Sequence, residues 1–436
     1  MKFFCYLFLF SFTSALLRSQ TNQELSVSLI QKMQRAQYDS CRVMFDSSVS
    51  NEINPEMLRK IWEGIPRYLG EFQSYSDIRT QQKDSLEIVS VRCAFVKTKL
   101  DLQLSYNAAH KIVGIFFVPP KNTTAYNYPE YYNSSKFYES KVTLKSGDYN
   151  LPAAICIPNN VKNPPVVVLV AGSGPNDKDE TIGPNKILKD IAVGLASSGI
   201  ASIRYDKRTL TYKNEMATTI NKVGINEEVI EDAVNAAKLM KKNPVTKDSK
   251  LFIIGHSLGA MCTPLIATKC KPSGIILLAG NARPLEDLIL EQYAYLLSVD
   301  TLQQEQKKFM DDLRADLKMV KDPKLLKTAK PEQLPLDLPS FYWQSLSKYK
   351  QVEVAKKLKQ PILVLQGERD YQVTMRDYAL WKEQLGADPK NNFISYPGLN
   401  HLFMKGEGKS LPAEYEKQGN MDGKVITDMI DWIKAH

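Results

Sequence analysis

Leu251-Phe252-Ile253-Ile254-Gly255-His256-Ser257-Leu258-Gly259 is the stretch from which the rest of the chain can be read. Its four leading apolar residues run without alternation, as expected of a strand buried on both faces. A helix opens after them, so Ser257 stands at a strand-to-helix turn in the pattern G-x-S-x-G. So sharp a turn forces the serine into a strained conformation. Glycines two residues to either side allow the close packing it needs. The serine oxygen then sits at a helix N-terminus, where the dipole favours developing negative charge.

Outward from this turn, strand and helix alternate. Upstream, Lys141 to Leu144 and Ala153 to Ile157 read as an opening hairpin, and Val166 to Val170 as a fully buried strand. A helix over Asn185 to Ser198, a strand over Ile200 to Arg204 and a helix over Asn226 to Lys242 follow. Downstream, Gly274 to Leu278, Pro361 to Gln366 and Asn392 to Tyr396 resume the strands, and Gly423 to Lys434 closes with a helix. Such a succession predicts a mostly parallel sheet with right-handed crossovers, flanked by helices, over residues 137–436. From about 283 to 350 the strands stop and helix-like sequence runs on, an inserted cap.

A serine nucleophile needs a base, and the chain has four histidines. His110 falls in the N-terminal region and His436 is the last residue. His256 adjoins the serine, but consecutive residues at such a turn diverge. His401 remains, on a loop after a strand and before the last helix. The acid belongs on a loop after a strand between the two. Ile362 to Asp370 supplies it, with Asp370 preferred over Glu368 as the group that holds the His401 tautomer. For an oxyanion hole, one donor is the N–H of Leu258, directly after the serine. The second is expected from Ala171-Gly172-Ser173-Gly174-Pro175, from Ser173 first and Gly174 next. That loop lacks the G-x-x-x-x-G-K-[ST] spacing of a phosphate cradle. No metal or cofactor is called for.

Five segments now stand in a fixed order: Ala171-Gly-Ser-Gly-Pro-Asn-Asp-Lys-Asp-Glu180, Arg204-Tyr-Asp-Lys-Arg208, the turn at Ser257, Gly367 to Asp370, and Leu399-Asn-His401. Together they resemble bacterial cap-bearing esterases, close to the serine-aminopeptidase and monoacylglycerol-lipase-like group of α/β hydrolases. The resemblance covers roughly residues 138–436 and implies hydrolysis of small carboxylic esters through an acyl-enzyme. Ala171 stands where many relatives carry histidine. Aminopeptidase, thioesterase and acyltransferase chemistry use the same triad, and a non-catalytic binding protein is the alternative from another class. Arg204, Asp206 and Arg208 read as a structural charge network. In the cap, apolar residues from Leu285 to Leu297 recur at helical spacing, which nominates Tyr293 and Leu296 as lining for an acyl pocket.

The N-terminal third differs in character. Lys2 followed by the apolar run Phe3 to Leu17 reads as a signal peptide over residues 1–19, too short to span a bilayer. A secreted or periplasmic protein without a lasting membrane anchor is expected. Helical spacing between Glu24 and Trp62, then alternation in Ile88 to Val91, Cys93 to Val96, Leu100 to Leu104 and Ile112 to Val118, predict a small α+β domain over 22–118. It resembles the uncharacterised helix-plus-curved-sheet domain that precedes some bacterial secreted hydrolases. Residues 119–136 read as a linker, and Cys41 and Cys93 as a pair or as buried small hydrophobes. With 43% hydrophobic and 24% charged residues the chain is globular. The net charge of +9 is spread as single lysines, which argues against a nucleic-acid surface. Oligomeric state is not legible.

Overall fold

The computed structural model describes residues 20–49, 52–96, 98–118, 126–298 and 304–436. The expected signal peptide and the front of the expected linker lie outside these residues. The chain forms two compact units, residues 1–122 and 123–436.

In the first unit, three helices (Asn22–Gln34, Tyr38–Arg42 and Pro55–Leu69) precede an antiparallel meander of β1 (Phe72–Lys83), β2 (Leu86–Phe95), β3 (Lys99–Tyr106) and β4 (Ile112–Val118). Thr21 opens the first helix with a reciprocal capping box to Glu24, and Asn54 caps the third with Pro55 at its first position. The two short strands expected around Ile88 and Cys93 are one strand, β2, paired with β3 from Glu87 to Ala94 and with β1 from Leu86 to Phe95. β1 escaped the sequence reading altogether. Most of its residues are exposed, so it carries no apolar alternation to find. Leu29, Ile30 and Met33 pack on Val89, Val91, Leu102 and Leu104. Cys41 and Cys93 are free thiols in this core; the pairing is absent and they serve as small apolar side chains.

The second unit is built on an eight-stranded sheet. Its strands are β5 (Phe137–Ser146), β6 (Tyr149–Pro158), β7 (Val166–Val170), β10 (Ala201–Tyr205), β11 (Leu251–His256), β12 (Gly274–Leu278), β13 (Ile362–Gly367) and β14 (Asn392–Tyr396). Between β7 and β10 lie two strands of two residues each, β8 (Thr181–Ile182) and β9 (Asn185–Lys186), paired with each other. The order is β14-β13-β12-β11-β7-β10-β6-β5, parallel from β14 to β10 and antiparallel at the β6 and β5 edge. Alternation inside β7 explains its unbroken apolar sequence. Val166, Val168 and Val170 meet helices Glu231–Lys242 and Leu258–Cys270 on one face, while Val167 and Leu169 meet helices Ile187–Ser197 and Gly423–Ala435 on the other.

Between β12 and β13 the chain leaves the sheet for helices Leu285–Ser298, Gln304–Lys321, Pro323–Thr328 and Ser340–Lys348, the expected cap. Arg283 anchors its entrance, paired with Asp377 at 2.6 Å and Glu291 at 2.5 Å. Residues 126–136 are not a free linker. Tyr126 donates to Asp190 at 2.5 Å and Tyr131 to the Met421 carbonyl at 3.1 Å, so aromatic side chains seat this stretch on the second unit. Among the described residues no helix is long and apolar enough to cross a membrane.

Candidate active site

Strand β11 ends at His256 and the next helix begins at Leu258, which leaves Ser257 alone between them to make the turn. Its backbone sits at φ 54°, ψ −121°, a conformation strained for a residue with a Cβ. The flanking glycines are explained by contact. A Cβ on Gly255 would come within 2.4 Å of the Gly259 backbone, and one on Gly259 within 2.3 Å of the Val170 carbonyl oxygen. Between Leu251 and Ala260 only Ser257 is not buried.

His401 lies on the loop after β14, and Asp370 on the loop after β13. His401 Nδ1 is 2.7 Å from Asp370 Oδ2, with both residues buried. The second oxygen of Asp370 accepts the N–H groups of Gln372 (2.8 Å) and Val373 (3.0 Å), and Gln366 donates to Oδ2 at 3.1 Å. A carboxylate that accepts so many donors is fixed in orientation. Glu368, the competing acid, is exposed and accepts from Ser395 at 2.7 Å, at the rim. Ser257, Asp370 and His401 thus follow the carboxyl ends of β11, β13 and β14, on one edge of the sheet.

The loop after β7 passes against the elbow: a Cβ on Gly172 would fall 3.2 Å from that of Ser257. Its N–H groups are not equivalent. Gly172 donates to Glu180 Oε1 at 2.7 Å and Gly174 to Glu228 Oε1 at 3.3 Å. Gly174, expected as a reserve oxyanion donor, is therefore already engaged. The N–H of Ser173, between them, and that of Leu258, at the first turn of its helix, are the candidates left.

Two buried clusters beside the loop were not found from the sequence. Lys207 donates to the Gly172 carbonyl (2.6 Å) and pairs with Glu228 (2.8 Å), whose other oxygen accepts from Tyr342 of the cap (2.5 Å). Glu228 rides on a π-turn, Asn226–Ile230, before helix Glu231–Lys242. Such turns gather at functional sites. In the second cluster Glu180 Oε1 lies 2.9 Å from His256 Nδ1, and His256 Nε2 lies 3.0 Å from the His401 carbonyl oxygen. Burial opposes protonation of His256. The Glu180 carboxylate, the His401 carbonyl and Asp370 outweigh it and raise its pKa. Glu180 and Glu228 carry no periodic signal, and the acidic run Asp177 to Glu180 looks like any solvated turn.

The remaining charges are structural. Arg204 bridges Asp179 (2.9 Å) and Glu139 (2.7 Å), Arg208 binds Asp232, and Asp206 accepts the Lys178 N–H. In the cap, Tyr293 turns toward Phe309 of the neighbouring helix, with ring centroids 5.0 Å apart, so its described role is packing. Leu296 packs with the cluster that contains Tyr371, Leu402 and Phe403, and Tyr295 stacks on Tyr371 at 5.3 Å. Leu296 and Tyr295, rather than Tyr293, lie on the side of the loops that carry Asp370 and His401.

Strand order, the serine elbow and the succession Ser–Asp–His along the chain are those of an α/β hydrolase. The chain belongs to the family described as serine aminopeptidase, S33, which it matches over residues 185–408. Residues 26–115 match a family described as a protein of unknown function, DUF3887. The chain is 35% identical to the esterase EstD of Thermotoga maritima over 405 residues, 93% of each chain. Among solved structures it is similar to Est1E from Butyrivibrio proteoclasticus (16% identity, 67% of this chain and 99% of that one, TM-score 0.44). It is also similar to a dienelactone hydrolase from Anabaena variabilis (16% identity, 69% and 99%, TM-score 0.40).

Proposed function

We propose that this chain is a carboxylic ester hydrolase that works through an acyl-enzyme, with Ser257 as nucleophile, His401 as general base and Asp370 as its orienting carboxylate. The observations that support this reading are a strained, solvent-reaching Ser257 after β11 and a buried His401–Asp370 pair at 2.7 Å on loops at the same edge of the sheet. His401 takes the Ser257 proton as the hydroxyl attacks the ester carbonyl, then returns it to the departing alcohol. A water activated by the same imidazole releases the acid. The N–H groups of Leu258 and Ser173 receive the oxyanion, helped by the helix that starts at Leu258. A small-molecule ester enters over the carboxyl edge of the sheet, beneath the cap, with Leu296 at the acyl side.

The family description favours one second reading, removal of an N-terminal amino acid. That chemistry needs a carboxylate for the substrate ammonium. The acidic groups beside the oxyanion loop are already committed, Glu228 to Lys207 and Tyr342, and Glu180 to His256 and Gly172. Esters are therefore preferred. Side-by-side rates on 4-nitrophenyl esters of two to eight carbons and on aminoacyl anilides test this: esters should be turned over faster at every length, and faster anilide cleavage would reverse the assignment. We also propose export, on the apolar run Phe3 to Leu17 behind Lys2. The N-terminal residue of the mature protein, read by mass spectrometry from the producing cell, tests it.

A further inference from the structure

His256 was set aside as a base because it points away from Ser257, and what it points toward is the source of a second role. Both of its ring nitrogens face acceptors, the Glu180 carboxylate at Nδ1 and the His401 carbonyl at Nε2. A neutral imidazole has one N–H and satisfies only one such acceptor; an imidazolium satisfies both. The same oxygen of Glu180 also accepts the Gly172 N–H. One carboxylate oxygen thereby joins three segments: the loop after β7, the residue before the nucleophile and, through the imidazole, the backbone of the base itself. All four groups are buried; Oε1 of Glu180 meets both donors, while its Oε2 is buried without a hydrogen-bond partner, so the carboxylate is held through one oxygen alone.

We propose that Glu180 and His256 form a buried carboxylate–imidazolium pair that positions the oxyanion loop and the His401 loop about Ser257. The proposal rests on the acyl-enzyme reading above. The two imidazole centroids are 4.8 Å apart. The charged groups facing the histidines are Glu180 and Asp370 for His256, and Asp370 and His256 for His401. Neither Glu180 nor His256 touches the substrate, so both are positioning residues.

The test uses the full chain. With four histidines, selective ¹⁵N-histidine labelling gives a ring spectrum small enough to assign. Substitution of His110 and His436, and the response of His401 to phosphonylation at Ser257, identify each signal. His256 should keep protons on both ring nitrogens to a pH above the ordinary histidine value of ~6.5. Glu180→Gln keeps the shape and removes the charge. It should lower the pH at which His256 loses its second ring proton and lower kcat about tenfold, with KM little changed. A His256 that titrates at or below the ordinary histidine value, or a Glu180→Gln enzyme with wild-type kcat, overturns the proposal. If Glu180→Gln fails to fold, the wild-type spectrum decides by itself. A wild type labelled at Ser257 with a neutral His256 loses only this pair, whereas a wild type that cannot be labelled at Ser257 loses the acyl-enzyme reading.

Discussion

Ser257 holds a backbone conformation worth of order 1–3 kcal/mol of strain, and the surrounding packing must over-determine it. Ser257→Ala keeps the Cβ and the strain, so folding should be unchanged while kcat falls by on the order of 10⁶. Asp370→Asn should lower turnover by up to about 10⁴, because Asn stabilises the wrong His401 tautomer. Glu368→Gln, at the rim, should do far less; a reversal of the two effects would make Glu368 the acid. His256 adds a pH dependence. Its folded pKa lies above its unfolded value of ~6.5, so its contribution to stability is fully present below that pH and is lost as pH rises through the folded value. Melting curves across this range should show wild type losing stability relative to His256→Gln as pH rises. Parallel curves would contradict the ion pair.

At the scale of elements, the elbow works because a strand and a helix meet with no side chain between them. Gly259→Ala sets a methyl 2.3 Å from the Val170 carbonyl oxygen, and a backbone atom cannot step aside. It should destabilise the second unit by about 3 kcal/mol, the upper end of overpacking costs, as read by denaturant unfolding. Wild-type stability there would mean that β7 and the helix are not in contact. The cap is tested by Leu296→Ala with esters of two to eight carbons. If Leu296 lines the acyl site, the preferred length should change, since one methylene in an apolar pocket is worth about 1–3 kcal/mol. An equal loss for every ester would leave Leu296 a packing residue. Much of this was legible in the sequence, because β7 and β11 to β13 are continuous apolar runs and the Ser257, Asp370 and His401 loops follow strands. β1 was not legible, because a strand with exposed faces has no apolar rhythm. Glu180, Glu228 and Lys207 were hidden for a different reason. Each gains its meaning from a partner distant in the chain, and no local pattern distinguishes a buried charge from a solvated one.

At the scale of the whole molecule, the reacting groups and the two apolar layers around the sheet belong to residues 123–436, and the first unit closes its own core. A chain that begins at Thr123 should keep ester hydrolysis close to that of the full chain. Folded but inactive protein would show that the first unit contributes to catalysis. The central claim, however, is that a single serine becomes acylated. It is tested most directly by treating the full chain with a fluorophosphonate and mapping the adduct by peptide mass spectrometry. The account predicts one adduct, on Ser257, that is absent from Ser257→Ala and slowed in His401→Ala; labelling of Ser257→Ala at the wild-type rate would contradict it.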